Sequence, residues 1–135
     1  MFIRKNRKKK QKFFSPIGIA HINTTSNNTI ISISDLLGNI ICWASCGTEN
    51  LGFGSDKLKN TKKKTPYAAQ MAAKCVAQKA ISLGVESIGV SIKGTGEGRE
   101  ITIRAFKLVG LKILYVEDRT PIAHNGCRPP KKRKL

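Results

Sequence analysis

Acidic side chains are scarce in this chain: eight Asp and Glu stand against 25 Lys and Arg, for a formal charge of +17. That excess is far beyond what solubility requires and implies an anionic partner. Aromatic residues are also few, at 6%, although 40% of the 135 residues are hydrophobic. That is enough for one packed core and too little for two. The four cysteines, at 42, 46, 75 and 127, contain no C-x2-C pair, and neither histidine follows at ligand spacing. A zinc site is therefore not expected. Long apolar runs are missing too. Phe13-Phe14-Ser15-Pro16 is too short and Pro-broken to be a secretory segment, and nothing reaches membrane-spanning length. Cys42 and Cys75 fall in apolar stretches and read as small core residues, which implies a reducing compartment and a soluble, intracellular protein.

The basic residues are unevenly placed. Residues 1–12 hold seven Lys and Arg with no acid, and residues 119–135 hold six with no acid, so thirteen of the seventeen net charges lie at the two ends. Such segments repel themselves and bury little, and a polyanion would order them. The expected organisation is a basic arm at 1–16, a single core domain at 17–118 with a Lys-rich loop at 46–64, and a second basic arm at 119–135. Lys8-Lys9-Lys10-Gln11-Lys12 has no apolar face to set on a membrane. Lys131-Lys132-Arg133-Lys134 also fits a nuclear import signal, a match that any basic RNA-binding tail would give.

From Ile17 to Ser45, β-branched and small polar residues alternate, with breaks at Ser26-Asn27-Asn28 and Leu37-Gly38-Asn39. This predicts a three-stranded meander. Ile40-Ile41-Cys42-Trp43 is apolar on both faces, as a central strand would be. Thr65-Pro66 opens a helix, with Thr as N-cap and Pro in the first turn. Ala69, Ala72, Val76, Ala80 and Leu83 form its core stripe, and Gly84 ends it. Val85–Lys93 reads as a buried strand, 94–98 as a tight loop and Leu111–Asp118 as a last strand. Residues 99–109 fit a strand through Ile101, Ile103 and Ala105, or a helix through Ile101, Ala105 and Leu108. Parallel strands need a crossover, which selects the helix. The order β-β-β-α-β-α-β predicts an α/β fold with helices packed on a mixed sheet.

Gly94-Thr95-Gly96-Glu97-Gly98-Arg99 lies between a strand and a helix, as a phosphate cradle would. It fits neither nucleotide fingerprint, and Glu97 would repel a phosphate, which leaves RNA-backbone contact or a plain tight turn. A metal-dependent nuclease needs converging carboxylates, yet the first strand carries none, Asp35 sits at a turn, and Glu117 and Asp118 alternate across a strand. His21 in a strand reads as a packed histidine, and His124 belongs to the arm. Neither suggests nucleophilic catalysis, so no enzyme, cofactor or metal is expected. The arm from Arg119 to Lys131 is held extended by its prolines. Its Arg, His and Asn residues suit phosphates, riboses and bases of irregularly folded RNA better than duplex DNA.

Several stretches together are specific: Ile19-Ala20-His21-Ile22, Asn27-Asn28-Thr29-Ile30, Trp43-Ala44-Ser45, Thr65-Pro66-Tyr67-Ala68-Ala69-Gln70, Lys93-Gly94, Gly98-Arg99, and Asp118 through Lys134 with His124-Asn125-Gly126-Cys127-Arg128-Pro129-Pro130. From about Gly18 onward the chain closely resembles the bacterial-type small-subunit ribosomal protein eleven family. The resemblance implies a ribonuclease-H-like α/β/α fold without that fold's catalytic carboxylates. It also implies a place on the platform of the small ribosomal subunit, with 16S-type ribosomal RNA and neighbouring ribosomal proteins as partners and messenger RNA nearby. The RNA contacts it implies are Asn27, Asn28, Lys93, Arg99, Arg119, His124, Asn125, Arg128, Lys131, Lys132, Arg133 and Lys134. Charge alone adds Lys8, Lys9 and Lys10, and Lys62, Lys63 and Lys64. The chain departs from the family pattern by extra residues around 50–63 and by Thr95 and Glu97 in the glycine loop.

The residues before the match are rich in Lys and poor in Ser, unlike a cleavable import peptide. The Lys, Asn and Ile bias fits a plastid ribosome, with a bacterial cytoplasm or a mitochondrion as alternatives. A free RNA-binding or RNA-processing factor is the rival functional reading.

Overall fold

The computed structural model describes residues 16–47 and 64–134. The predicted alternation becomes a meander of β1 (Ile17–Thr24), β2 (Thr29–Ser34) and β3 (Ile40–Ser45). Ala20, Ile22, Ile31, Ile33, Cys42 and Ala44 point to one side and are buried. Then come helix α1 (Pro66–Ser82), β4 (Ser87–Gly94), α2 (Gly98–Val109) and β5 (Lys112–Asp118). The five strands form one mixed sheet in the order β3-β2-β1-β4-β5. The meander is antiparallel, whereas β1, β4 and β5 run parallel. This is the expected α/β arrangement, with α2 as the crossover that two parallel neighbours require.

Helix α1 begins as its sequence dictates. The Thr65 hydroxyl accepts a hydrogen bond from the Ala68 amide at 3.4 Å, and Pro66 needs no partner for a missing N–H. Ala72, Ala73, Val76, Ala77 and Ala80 are fully buried. An alanine face lets the helix approach the sheet closely, and Phe106 of α2 fills the remaining space at 0% exposure. Both helices pack on the same side of the sheet and against one another. Among the described residues the opposite face carries no helix, so the layering is two-layered rather than the α/β/α that the resemblance implied, because both crossovers run in the same direction along the sheet.

Four further expectations are corrected. Strand β3 is an edge strand, with Ile40 and Trp43 exposed, because β1 takes both β2 and β4 as neighbours. The buried face of α2 is Thr102, Ala105 and Phe106, and Leu108 points outward at 73% exposure. His21 is exposed on the helix-free face, sharing a 2.9 Å hydrogen bond with Ser34. In α1, Leu83 is the partly buried C-cap, and the stripe is completed by Ala68, Ala73 and Ala77.

Candidate RNA interface

The topology gathers distant segments at one end of the sheet. The parallel strands β1, β4 and β5 all finish there, and ligand-binding loops of α/β sheets collect at the carboxyl ends of such strands. The β1–β2 turn carries Asn27 and Asn28. Its backbone is closed by the Thr25 amide donating to the Asn28 carbonyl at 2.9 Å, while the Thr29 amide donates to Asn28 Oδ1 at 2.8 Å. Strand β3 ends beside the start of β2, where the Cys46 amide donates to the Thr29 carbonyl. Lys64 is exposed just before the N-cap of α1. Gly98 opens α2 against Thr29 and Ala69, so both helix N-termini belong to this end.

The glycine loop is held by Thr24. Its hydroxyl donates to the Lys93 carbonyl and accepts from the Gly96 amide, both at 3.2 Å. Gly94 turns with φ of 98°, and any Cβ there would overlap the Thr24 carbonyl oxygen, so only glycine fits. Glu97 is the exposed N-cap residue of α2 and makes no side-chain capping bond. Its carboxylate suits the positive end of the helix dipole.

Asp118 is the hub at the root of the C-terminal arm. One carboxylate oxygen takes the Arg99 guanidinium at 2.6 Å, and the other accepts the Thr120 hydroxyl at 2.6 Å and the Thr120 amide at 3.0 Å. The Thr120 hydroxyl in turn accepts from the Gly94 amide at 3.1 Å. The arm root is thus tied to both the glycine loop and α2. The hydrogen bonds from Thr120, followed by Arg99, hold the Asp118 carboxyl down at about 2. Next to it, Arg119 Nε lies 2.7 Å from Glu117, and its amide donates to the Ile92 carbonyl at 2.8 Å.

The structure therefore brings Asn27, Asn28, Lys64, Lys93, Arg99 and Arg119 to one end of the fold. Arg99 spends part of its guanidinium on Asp118. His124, Asn125, Arg128, Lys131, Lys132, Arg133 and Lys134 continue along the arm, all exposed and without helix or strand. Asn125 alone among the described non-glycine residues has a positive φ, 54°. Lys8, Lys9, Lys10, Lys62 and Lys63 lie outside the described residues. Sequence reasoning missed Thr24, Asp118 and Thr120 as the residues that fix this end. An Asp followed two residues later by Thr is the local signal for such a turn. Among the described residues, no group of His, Cys, Asp and Glu is arranged to hold a metal ion. No helix among them is long and apolar enough to cross a membrane.

Residues 18–134 match the family model described as ribosomal protein S11. The chain belongs to that family. The small ribosomal subunit protein uS11 of Desulfovibrio desulfuricans is 47% identical over 128 residues, covering 95% of this chain and 94% of the relative. The S11 match spans both the core sheet and the described arm, so the convergent end lies wholly inside it.

Proposed function

We propose that this S11-family chain is a structural constituent of the small ribosomal subunit, binding 16S-type ribosomal RNA on the platform. In this reading Asn27, Asn28, Lys64, Lys93, Arg99 and Arg119 contact the RNA backbone around one folded site. His124, Asn125, Arg128 and the Lys131-Lys132-Arg133-Lys134 cluster run along it, near the messenger RNA exit side and neighbouring ribosomal proteins. Lys8, Lys9, Lys10, Lys62 and Lys63 add cationic contacts of lower specificity. Its role is to neutralise and bridge phosphates so that RNA helices can pack, without catalysis. The observation that carries this reading is the anchoring of an exposed basic arm, through Asp118 and Thr120, to the end of the sheet where the loop cations collect.

The 47% identical uS11 belongs to a bacterium, and the Lys, Asn and Ile bias of this chain supports a plastid ribosome over a bacterial or mitochondrial one. Sedimentation of the native protein tests the assignment. Stoichiometric co-migration with the small subunit at moderate salt is expected, and recovery only in light fractions would reject it in favour of a free RNA-binding factor.

A further inference from the structure

The helix-free face of the sheet has a composition that fold stability does not require. Register places Trp43, Ser32, His21, Ser91 and Glu117 in one row across all five strands on this face. A second row runs Ser34, Ile19, Gly89, Tyr115. At Gly89 the Tyr115 ring occupies the space a Cβ would fill, so the ring lies down across β4. It nevertheless remains 46% exposed, and Trp43 is 58% exposed. Two aromatic rings are thus offered to solvent, with the small residues Ser32, Gly89 and Ser91 and the β1 side chains His21 and Ile19 between them. Strands β3 and β5 lie four spacings of about 4.8 Å apart, roughly 19 Å, and the Tyr115 ring leans over β4 toward Trp43, which leaves room for several stacked bases.

The charge on this face identifies the occupant. Lys93, Lys112 and Arg119 share it through their pairing with or beside Asn23, Ser87 and Glu117, and Glu117 is tied to Arg119. His21, in the middle of the row, has its proton affinity lowered chiefly by partial desolvation, with Lys93 and Arg119 close enough to lower it further. The face is also continuous with the arm root at Arg119.

We infer that this open face is a second RNA surface, on which Tyr115 and Trp43 stack unpaired bases while Lys93 and Arg119 hold the adjoining phosphates. The inference rests on the RNA-binding reading above and adds a base-stacking platform to it. Sheet faces that pair exposed aromatics with cations recognise single-stranded RNA in this manner, because every base offers a π-face.

The full-length chain is titrated at elevated salt, which weakens the phosphate contribution, with a labelled adenosine 12-mer and with a paired RNA duplex of equal length. Anisotropy gives affinity, and Trp43, the single tryptophan of the chain, reports stacking directly by its fluorescence. The single strand is expected to quench Trp43 and the duplex to bind without quenching. Tyr115→Ala should weaken single-strand binding by about five- to 150-fold, whereas Tyr115→Phe keeps the ring and the affinity. Single-strand binding that leaves Trp43 emission unchanged, with Tyr115→Ala and Trp43→Ala as tight as the parent, overturns the stacking surface and spares the RNA reading. That result would leave the face to a protein neighbour. Failure of the parent chain to bind either RNA overturns both.

Discussion

At the scale of single residues, Asp118 shows how one carboxylate can define a site without touching a ligand. It accepts bonds from Thr120 and Arg99, and those bonds stabilise its charged form. A depressed native pKa means that the unfolded chain binds the proton more readily. The associated stability is therefore complete above an ordinary Asp value of about 3.9 and is lost as the pH falls toward about 2. A carboxyl titration followed by NMR should place Asp118 near the lower value, and a midpoint close to 4 would contradict the hub. Asp118→Asn should free the arm root, visible as faster amide exchange at Thr120 and Gly94. Cys42 illustrates the opposite environment. Burial pushes its thiol up to about 11, in keeping with a packing role and low reactivity.

At the scale of elements, the helices separate what periodicity can and cannot decide. The start of α1 was legible because Thr65-Pro66 satisfies helix-end chemistry locally, and its stop was legible from Gly84, which adopts φ of 96°. The buried face of α2 was not. Both Leu108 and Phe106 suit a helix, and the choice depends on which side α1 and the sheet approach. Phe106 is fully buried and Leu108 is 73% exposed. Phe106→Ala should thus cost about 3–5 kcal/mol in denaturant unfolding. Leu108→Ala should stay within about 0.5 kcal/mol. Equal losses would mean that α2 is rotated relative to this description. The edge position of β3 was hidden for a related reason. An apolar strand looks central when its outward residues are apolar, and here Trp43 faces solvent.

At the scale of the whole molecule, charge and fold have divided the work. The core supplies a rigid end with a few placed cations, and the terminal segments supply most of the net charge. Log affinity for RNA should fall linearly with log salt, by about 0.7 to 0.9 for each phosphate neutralised. Deleting residues 1–16 and 119–135 together should flatten that slope markedly, and an unchanged slope would show that the core alone carries the phosphate contacts.

By itself the sequence determined the element order, the caps of α1, the cationic arms and the family resemblance, because turn chemistry, capping and charge act over a few neighbouring residues. Only the tertiary structure decided that the Asn27-Asn28 turn, the glycine loop and the arm root meet at one end. Strand order is a matter of long-range pairing, and β4 joins β1 rather than β3. The same pairing left one sheet face without a helix among the described residues and laid Tyr115 over Gly89, a contact between residues 26 positions apart that no local pattern encodes.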